Sequence, residues 1–190
     1  MQIIKSLPVS EFIQKTLENK IGKNPNVWCA EVIYNIRNNV KPGYIRVDSD
    51  EVHYPLHIIH RFNMEYKIIE EEANVEYLPD LWNEEFSKIL KLDVDDDKNG
   101  CLQDIHWYGG DFGYFPTYSI GAFIAAQLAY KVRKEVINFD LNLKEKNFKP
   151  IIKWLRENIH SRGNFLKIDE LLEESTEEKL NLKYFENHII

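Results

Sequence analysis

The sequence predicts an all-α fold, and three observations predict it. Apolar residues recur at spacings of three and four along most of the 190 residues, the period that lines up one face of a helix. Proline and glycine fall where such segments begin and end. The one stretch of extended character, Tyr44–Val47, is short and reads as an isolated strand. With 44% hydrophobic and 29% charged residues, the chain has the composition of a globular protein long enough to bury a core. It has no internal repeat, low-complexity tract or linker, so residues 1–190 are expected to form a single domain.

Taken in order, Ser6 can cap a first helix with Pro8 in its opening turn, running to about Ile21 and closing near Gly22. A second helix covers roughly Val27 to Val40 and stops before Pro42 and Gly43. After the expected strand at 44–47, a long helix starts at Asp48 or Ser49, where acidic residues suit the helix dipole. Leu56, Ile59, Phe62, Tyr66 and Ile69 form one stripe and carry it to about Ala73. Another helix opens around Pro79 and ends before Asp93. A loop rich in aspartate, glycine and aromatics follows, to Gly113. From Pro116 to about Glu135 the pattern is that of a core helix, with Ile120, Phe123, Ile124 and Leu128. Shorter helices are expected over Pro150–His160 and Ile168–Glu174, parted by Gly163, and a last turn over Leu182–His188. The stripes of the first two helices and of the long one offer more apolar face than a body this size covers, which suits a piece that packs against something else.

Composition excludes several classes. A formal net charge of −7 argues against non-specific nucleic-acid binding. No run approaches the ~18 apolar residues that span a bilayer, and the first residues lack the pattern of a signal peptide. Cys29 and Cys101 are too few for a disulfide framework and wrongly spaced for a zinc ribbon. A cytoplasmic setting is the default expectation.

Four patterns invite metal chemistry or substrate binding. His53 and His57 stand at i and i+4, with His60 beyond, but the metalloprotease motif needs a glutamate directly after the first histidine, and Tyr54 and Pro55 follow instead. Histidines with a structural role on a long helix are the favoured reading. Asp95, Asp97, Asn99 and Gly100 copy four positions of a calcium loop, yet His106 stands where the bidentate glutamate belongs. An acidic surface loop is favoured there, and no metal ligand is assigned. Arg46 is either a surface charge or a residue able to grip a carboxylate with two parallel hydrogen bonds. The loop from Gly100 to Tyr118 packs Gln103, Asp104 and His106 among aromatics and glycines. It reads equally as a functional loop and as a rigid turn before the core helix.

Two of these segments carry a resemblance. Ile45-Arg46-Val47-Asp48-Ser49-Asp50 resembles the I-R-x-x-A-D motif of the carboxypeptidase Taq family of zinc metallocarboxypeptidases, with serine for alanine. Gly100-Cys101-Leu102-Gln103-Asp104-Ile105-His106-Trp107 is similar to that family's G-x-x-Q-D-x-H-W motif at every fixed position. Similarity extends through Leu78-Pro79, Leu81-Trp82-Asn83-Glu84 and Phe112 to Tyr118, over nearly the whole chain, weakening from Glu177 onward. His57 matches a family position, whereas His53 and His60 do not.

The resemblance implies a helical fold with a deep groove and removal of single residues from peptide C-termini. It implies that Arg46 holds the substrate's terminal carboxylate and that His106 donates to the bound substrate. Tyr118, with Tyr114 as alternate, would face the developing oxyanion, while Gln103 and Asp104 orient the loop. The family's zinc is held by an H-E-x-x-H helix and a later glutamate in H-E-S. Neither motif occurs in this sequence, so the chain matches the part after the metal site, and no cofactor is expected for it alone. A split gene, a truncated gene and a piece of a longer chain all fit that match. The expected partners are a peptide substrate and either an N-terminal segment or further copies of the chain covering the apolar faces. A non-catalytic remnant or self-associating module of the same fold is the competing reading.

Overall fold

The computed structural model describes residues 3–190, and every element in it is helical. The chain divides into two compact units, residues 1–39 with 122–190 and residues 40–121, the boundary at 121/122 falling within one long helix and that at 39/40 in a loop. No helix among the described residues is long and apolar enough to cross a membrane.

In the first unit, α1 spans Leu7–Ile21 with a proline in its first turn and Gly22 after its end at φ 90°. Ser6 holds the extended backbone of a cap, but its hydroxyl donates to the Ile3 carbonyl (2.7 Å) instead of accepting from the helix. The expected second helix is two pieces, α2 (Pro25–Trp28) and α3 (Ala30–Arg37). They part at Cys29, whose ψ of 158° is extended. The break is stable because the Ala30 N–H, at the start of the new helix, donates to the Gln14 side chain on α1 (2.8 Å). Helix α6 (Pro116–Glu135) occupies the predicted range and runs on from the second unit. A helix that the sequence pattern does not announce, α7 (Phe139–Lys144), follows and packs on α1, with Lys144 paired to Glu11 (2.8 Å). Helices α8 (Lys149–Asn158), α9 (Ile168–Thr176) and α10 (Lys183–Ile189) lie where expected. Val132, Val136, Phe139, Leu143, Ile151 and Trp154 form this unit's core, each such side chain stabilising the fold by roughly 1.5–3 kcal/mol.

In the second unit, no strand forms at Tyr44–Val47: Arg46–Asp48 is a 3-10 turn behind an extended Ile45. The extended backbone finds its partner in a side chain. The Gln103 amide accepts from the Arg46 N–H (3.0 Å) and donates to the Tyr44 carbonyl (3.1 Å), supplying both halves of a ladder. The long helix is shorter than the pattern suggests, α4 covering Tyr54–Ile69. Asp50 sets its start by accepting from the Val52 and His53 N–H groups, which holds residues 51–53 in a turn. Glu70, Glu71 and Glu72 end it, since acidic residues are disfavoured at a helix C-terminus, and Glu72 turns to φ 51°. Helix α5 (Leu78–Leu90) packs on α4, and Met64, Trp82, Phe86, Leu90 and Cys101 make the core.

Helix α4 buries polar and charged side chains beside the apolar Ile58 and Met64. Its buried residues include His57, His60, Arg61 and Glu65. The apolar stripe Ile59, Phe62, Tyr66 and Ile69 is about half exposed, at 49, 49, 52 and 55%. Leu56 alone of that stripe packs against the core.

Candidate active site

The site is built from the turn at Arg46, the start and middle of α4, the loop after α5, and the first turn of α6. Gln103 ties the loop to residues 44 and 46, as above. The next residue, Asp104, places its carboxylate between two arginines. Oδ1 accepts from Arg46 Nε (3.1 Å) and Nη2 (2.8 Å), and Oδ2 accepts from Arg61 Nε (2.5 Å). Arg46 also donates through Nη1 to the Tyr54 hydroxyl (3.0 Å), and Arg61 through Nη1 to the His57 carbonyl (2.9 Å). Both guanidiniums are out of solvent, Arg46 at 5% exposure and Arg61 at 0%.

Burial would push the Asp104 carboxyl up, but the two arginines outweigh it and hold it below the usual range. Arg61, the deeper of the pair, is lowered by burial to about 10, partly offset by Asp104. Arg46 loses less to burial, and Asp104 raises it above the ordinary arginine value. Both are therefore cations at neutral pH. The two guanidiniums thus share this one carboxylate at the floor of the site, and Glu65, a buried carboxylate of α4, lies a turn beyond Arg61. Asp111 is a further carboxylate on the wall, but it sits exposed at the rim, where water screens it.

Above this floor stand the aromatics. The Tyr118 ring lies under the Arg46 guanidinium, 4.9 Å from Cζ to the ring centre. His106 Nε2 and the Tyr118 hydroxyl share a hydrogen bond of 3.0 Å, and His106 packs on Phe115 at 4.4 Å between ring centres. Burial raises the Tyr118 hydroxyl above the ordinary tyrosine value. Tyr114 leans edge-on against Tyr118 at 5.4 Å. All six residues singled out from the sequence (Arg46, Gln103, Asp104, His106, Tyr114 and Tyr118) line one cleft of about 480 Å³.

Two contributors escape sequence reasoning. Tyr54 and Arg61 both hold the network from α4. The signal for Arg61 is a charged residue four positions after His57, on the side of the helix away from the apolar stripe, which usually means solvent.

The three histidines do not converge. His53 Nδ1 is taken by Asp50 (2.8 Å). His57 is lowered to about 4, by burial first and then by Arg61, with the Gly43 backbone working the other way. His60 is lowered to about 3 by burial and lies edge-on to Trp82 at 4.3 Å. Among the described residues no three histidine, cysteine, aspartate or glutamate side chains are grouped to hold a metal. The donors present do not fit a zinc site.

The chain is 43% identical to carboxypeptidase 1 of Bacillus subtilis over 202 aligned residues, covering 97% of this chain and 40% of that protein. It is 39% identical to thermostable carboxypeptidase 1 of Pyrococcus furiosus, over 92% of this chain and 35% of that one. Among solved structures, metallocarboxypeptidase 1 of Trypanosoma cruzi superposes with a TM-score of 0.92 at 38% identity, over 100% of this chain and 40% of its own. The chain thus spans two-fifths or less of the length of these relatives. The family model for carboxypeptidase Taq (M32) metallopeptidases matches residues 1–190, and the chain belongs to that family.

Proposed function

We propose that this chain is the C-terminal segment of a zinc metallocarboxypeptidase that releases amino acids from peptide C-termini, supplying substrate contacts but not zinc ligands. The observation that carries the reading is Arg46, held on the cleft wall by Asp104 and Tyr54, set beside the His106–Tyr118 hydrogen bond. A terminal carboxylate is the group that a guanidinium takes up with parallel hydrogen bonds. Arg46 commits three of its five N–H groups to Asp104 and Tyr54, leaving two for a ligand. Gln103 and Asp104 hold that arginine and its loop in place. Tyr118 stays protonated at neutral pH, and on substrate binding its bond to His106 Nε2 gives way, so that Tyr118 donates to an oxyanion, with Tyr114 beside it as alternate, and His106 donates to the bound substrate. In this reading residues 1–190 act as one part of the family's catalytic domain. The zinc-binding motifs lie outside this sequence, so the chain's own work is binding and orientation. Its free thiols, Cys29 and Cys101, fit a cytoplasmic setting.

The half-exposed stripe on α4 supports a covering partner, the remaining part of a family chain in the first instance. The test mixes this chain with the portion of the Bacillus carboxypeptidase that it does not match. Bound zinc and release of the terminal residue from an N-acyl dipeptide are measured for each piece and for the mixture. Activity that appears only on mixing is the expected result, and no gain on mixing would sink the proposal. An inactive chain that instead forms a homodimer through the α4 stripe would favour the self-associating module.

A further inference from the structure

The whole cleft hangs on one face of α4. His57, Arg61 and Glu65 follow at intervals of four, so they stack along one side at a rise of about 6 Å per step. All three are buried. Arg61 reaches Asp104, two residues before His106. Glu65 reaches the same loop at two points. Its Oε1 accepts from Trp107 Nε1 (2.9 Å) and its Oε2 from the Gly113 backbone N–H (3.1 Å). One anchor lies directly after His106 and the other directly before Tyr114.

Between those anchors the loop makes a tight reversal. Gly110 sits at φ 80° and Gly113 at φ 75°, and the Gly110 N–H bond to the Trp107 carbonyl (3.1 Å) and the Asp111 N–H bond to the His106 carbonyl (2.9 Å) fix the shape of the reversal, while its seat against α4 needs a separate hold. Glu65 is such a hold, because a buried carboxylate strongly favours keeping both oxygens hydrogen-bonded. Helix α4 in turn is fixed against α5 through Met64, so the rungs are mounted on a packed element and not on another loop.

We propose that Arg61 and Glu65 are positioning residues of the cleft. Arg61 sets Arg46 through Asp104, and Glu65 sets His106 and Tyr114 by clamping the loop at Trp107 and Gly113. The assignment concerns geometry and stands apart from which reaction the cleft serves.

The test uses the 190-residue chain, labelled with ¹⁵N, as wild type and as Glu65→Gln, Glu65→Ala and Arg61→Lys. Nuclear magnetic resonance follows the Gly113 amide, the Trp107 indole, the His106 ring nitrogens, the Arg46 Nε–H and, as a control, the Phe86 amide in α5. In Glu65→Gln only one acceptor oxygen remains. Hydrogen exchange at the abandoned donor is expected to rise about tenfold, and the His106 Nε2 signal to move as its bond to Tyr118 loosens. The Phe86 amide should keep its exchange rate. Arg61→Lys should move the Arg46 Nε–H signal and leave Gly113 as it was. The proposal is overturned if the Glu65 variants free the loop donors while the His106 signals stay at their wild-type positions. It is equally overturned if Phe86 changes in step with Gly113, since Glu65 would then only stabilise the fold. An unmoved Arg46 Nε–H in Arg61→Lys removes the Arg61 half. Should Glu65→Ala fail to fold, the near-isosteric Glu65→Gln carries the test.

Discussion

Replacing Asp104 by asparagine changes a few atoms and one charge, and the structure says what that costs. Oδ1 serves Arg46 twice and Oδ2 serves Arg61 once, so the carboxylate is an acceptor on both sides. An asparagine amide has one acceptor oxygen, and whichever way it turns, one guanidinium meets an NH₂ group. The change also removes the negative charge that the two guanidiniums share, with Arg61 wholly out of water. Removing one partner of a buried ion pair costs about 3–5 kcal/mol. The oxygen that remains recovers about 1 kcal/mol of that, so the expected loss for Asp104→Asn is about 2–4 kcal/mol. Urea unfolding of wild type and variant at pH 7, followed by tryptophan fluorescence, measures it. The sign with pH follows from the depressed carboxyl. Its contribution is complete above the unfolded carboxylate range and is lost as pH falls through the lower folded value, so the gap between the two proteins should narrow progressively below the unfolded carboxylate range. A loss under about 1 kcal/mol at pH 7 would refute the reasoning, because the network would then behave as an ordinary surface pair.

The buried histidines give a second pH prediction of opposite origin. His57 and His60 are held neutral in the fold, at about 4 and about 3, so stability should decline as pH falls below the unfolded histidine value and continue to decline until those folded values are reached. Each step is on the order of 3–5 kcal/mol at its limit. Neither ring nitrogen of His60 has a hydrogen-bond partner. His60→Leu should therefore hold stability at pH 7 and reduce the fall of the urea midpoint between pH 6.5 and 4 by roughly half, His57 supplying the rest, whereas an unchanged slope would mean that His60 carries none of the acid limb. On the outer face of α4, Phe62→Glu should alter stability by no more than about 0.5 kcal/mol, as for an exposed position. The same variant should abolish any gain on mixing with the complementary segment. A large stability loss with mixing intact would show that the stripe is inward-facing in solution.

Much of the fold is legible in the sequence because helix formation is decided locally. Helix α6 occupies its predicted range, since a proline start and closely spaced apolar residues are short-range signals. The failures share one cause. The extended run at 44–47 pairs with a glutamine about sixty positions away in the chain, and the break at Cys29 is held by Gln14 on another helix. No local pattern announces a partner that comes from elsewhere in the chain.

The site divides the same way. The motif around Gln103, Asp104 and His106 is contiguous, so its residues are visible together in sequence, and so is the missing H-E-x-x-H. Which way α4 faces is not visible. Its apolar stripe looks like a core face, and His57, Arg61 and Glu65 look like the solvent side. By itself the sequence determined the helical class, most of the helices and the family, because spacing and motif order are properties of the chain alone. The tertiary structure decided that α4 turns its charges inward, because only the folded loop brings Asp104, Trp107 and Gly113 to meet them and leaves the apolar stripe half exposed.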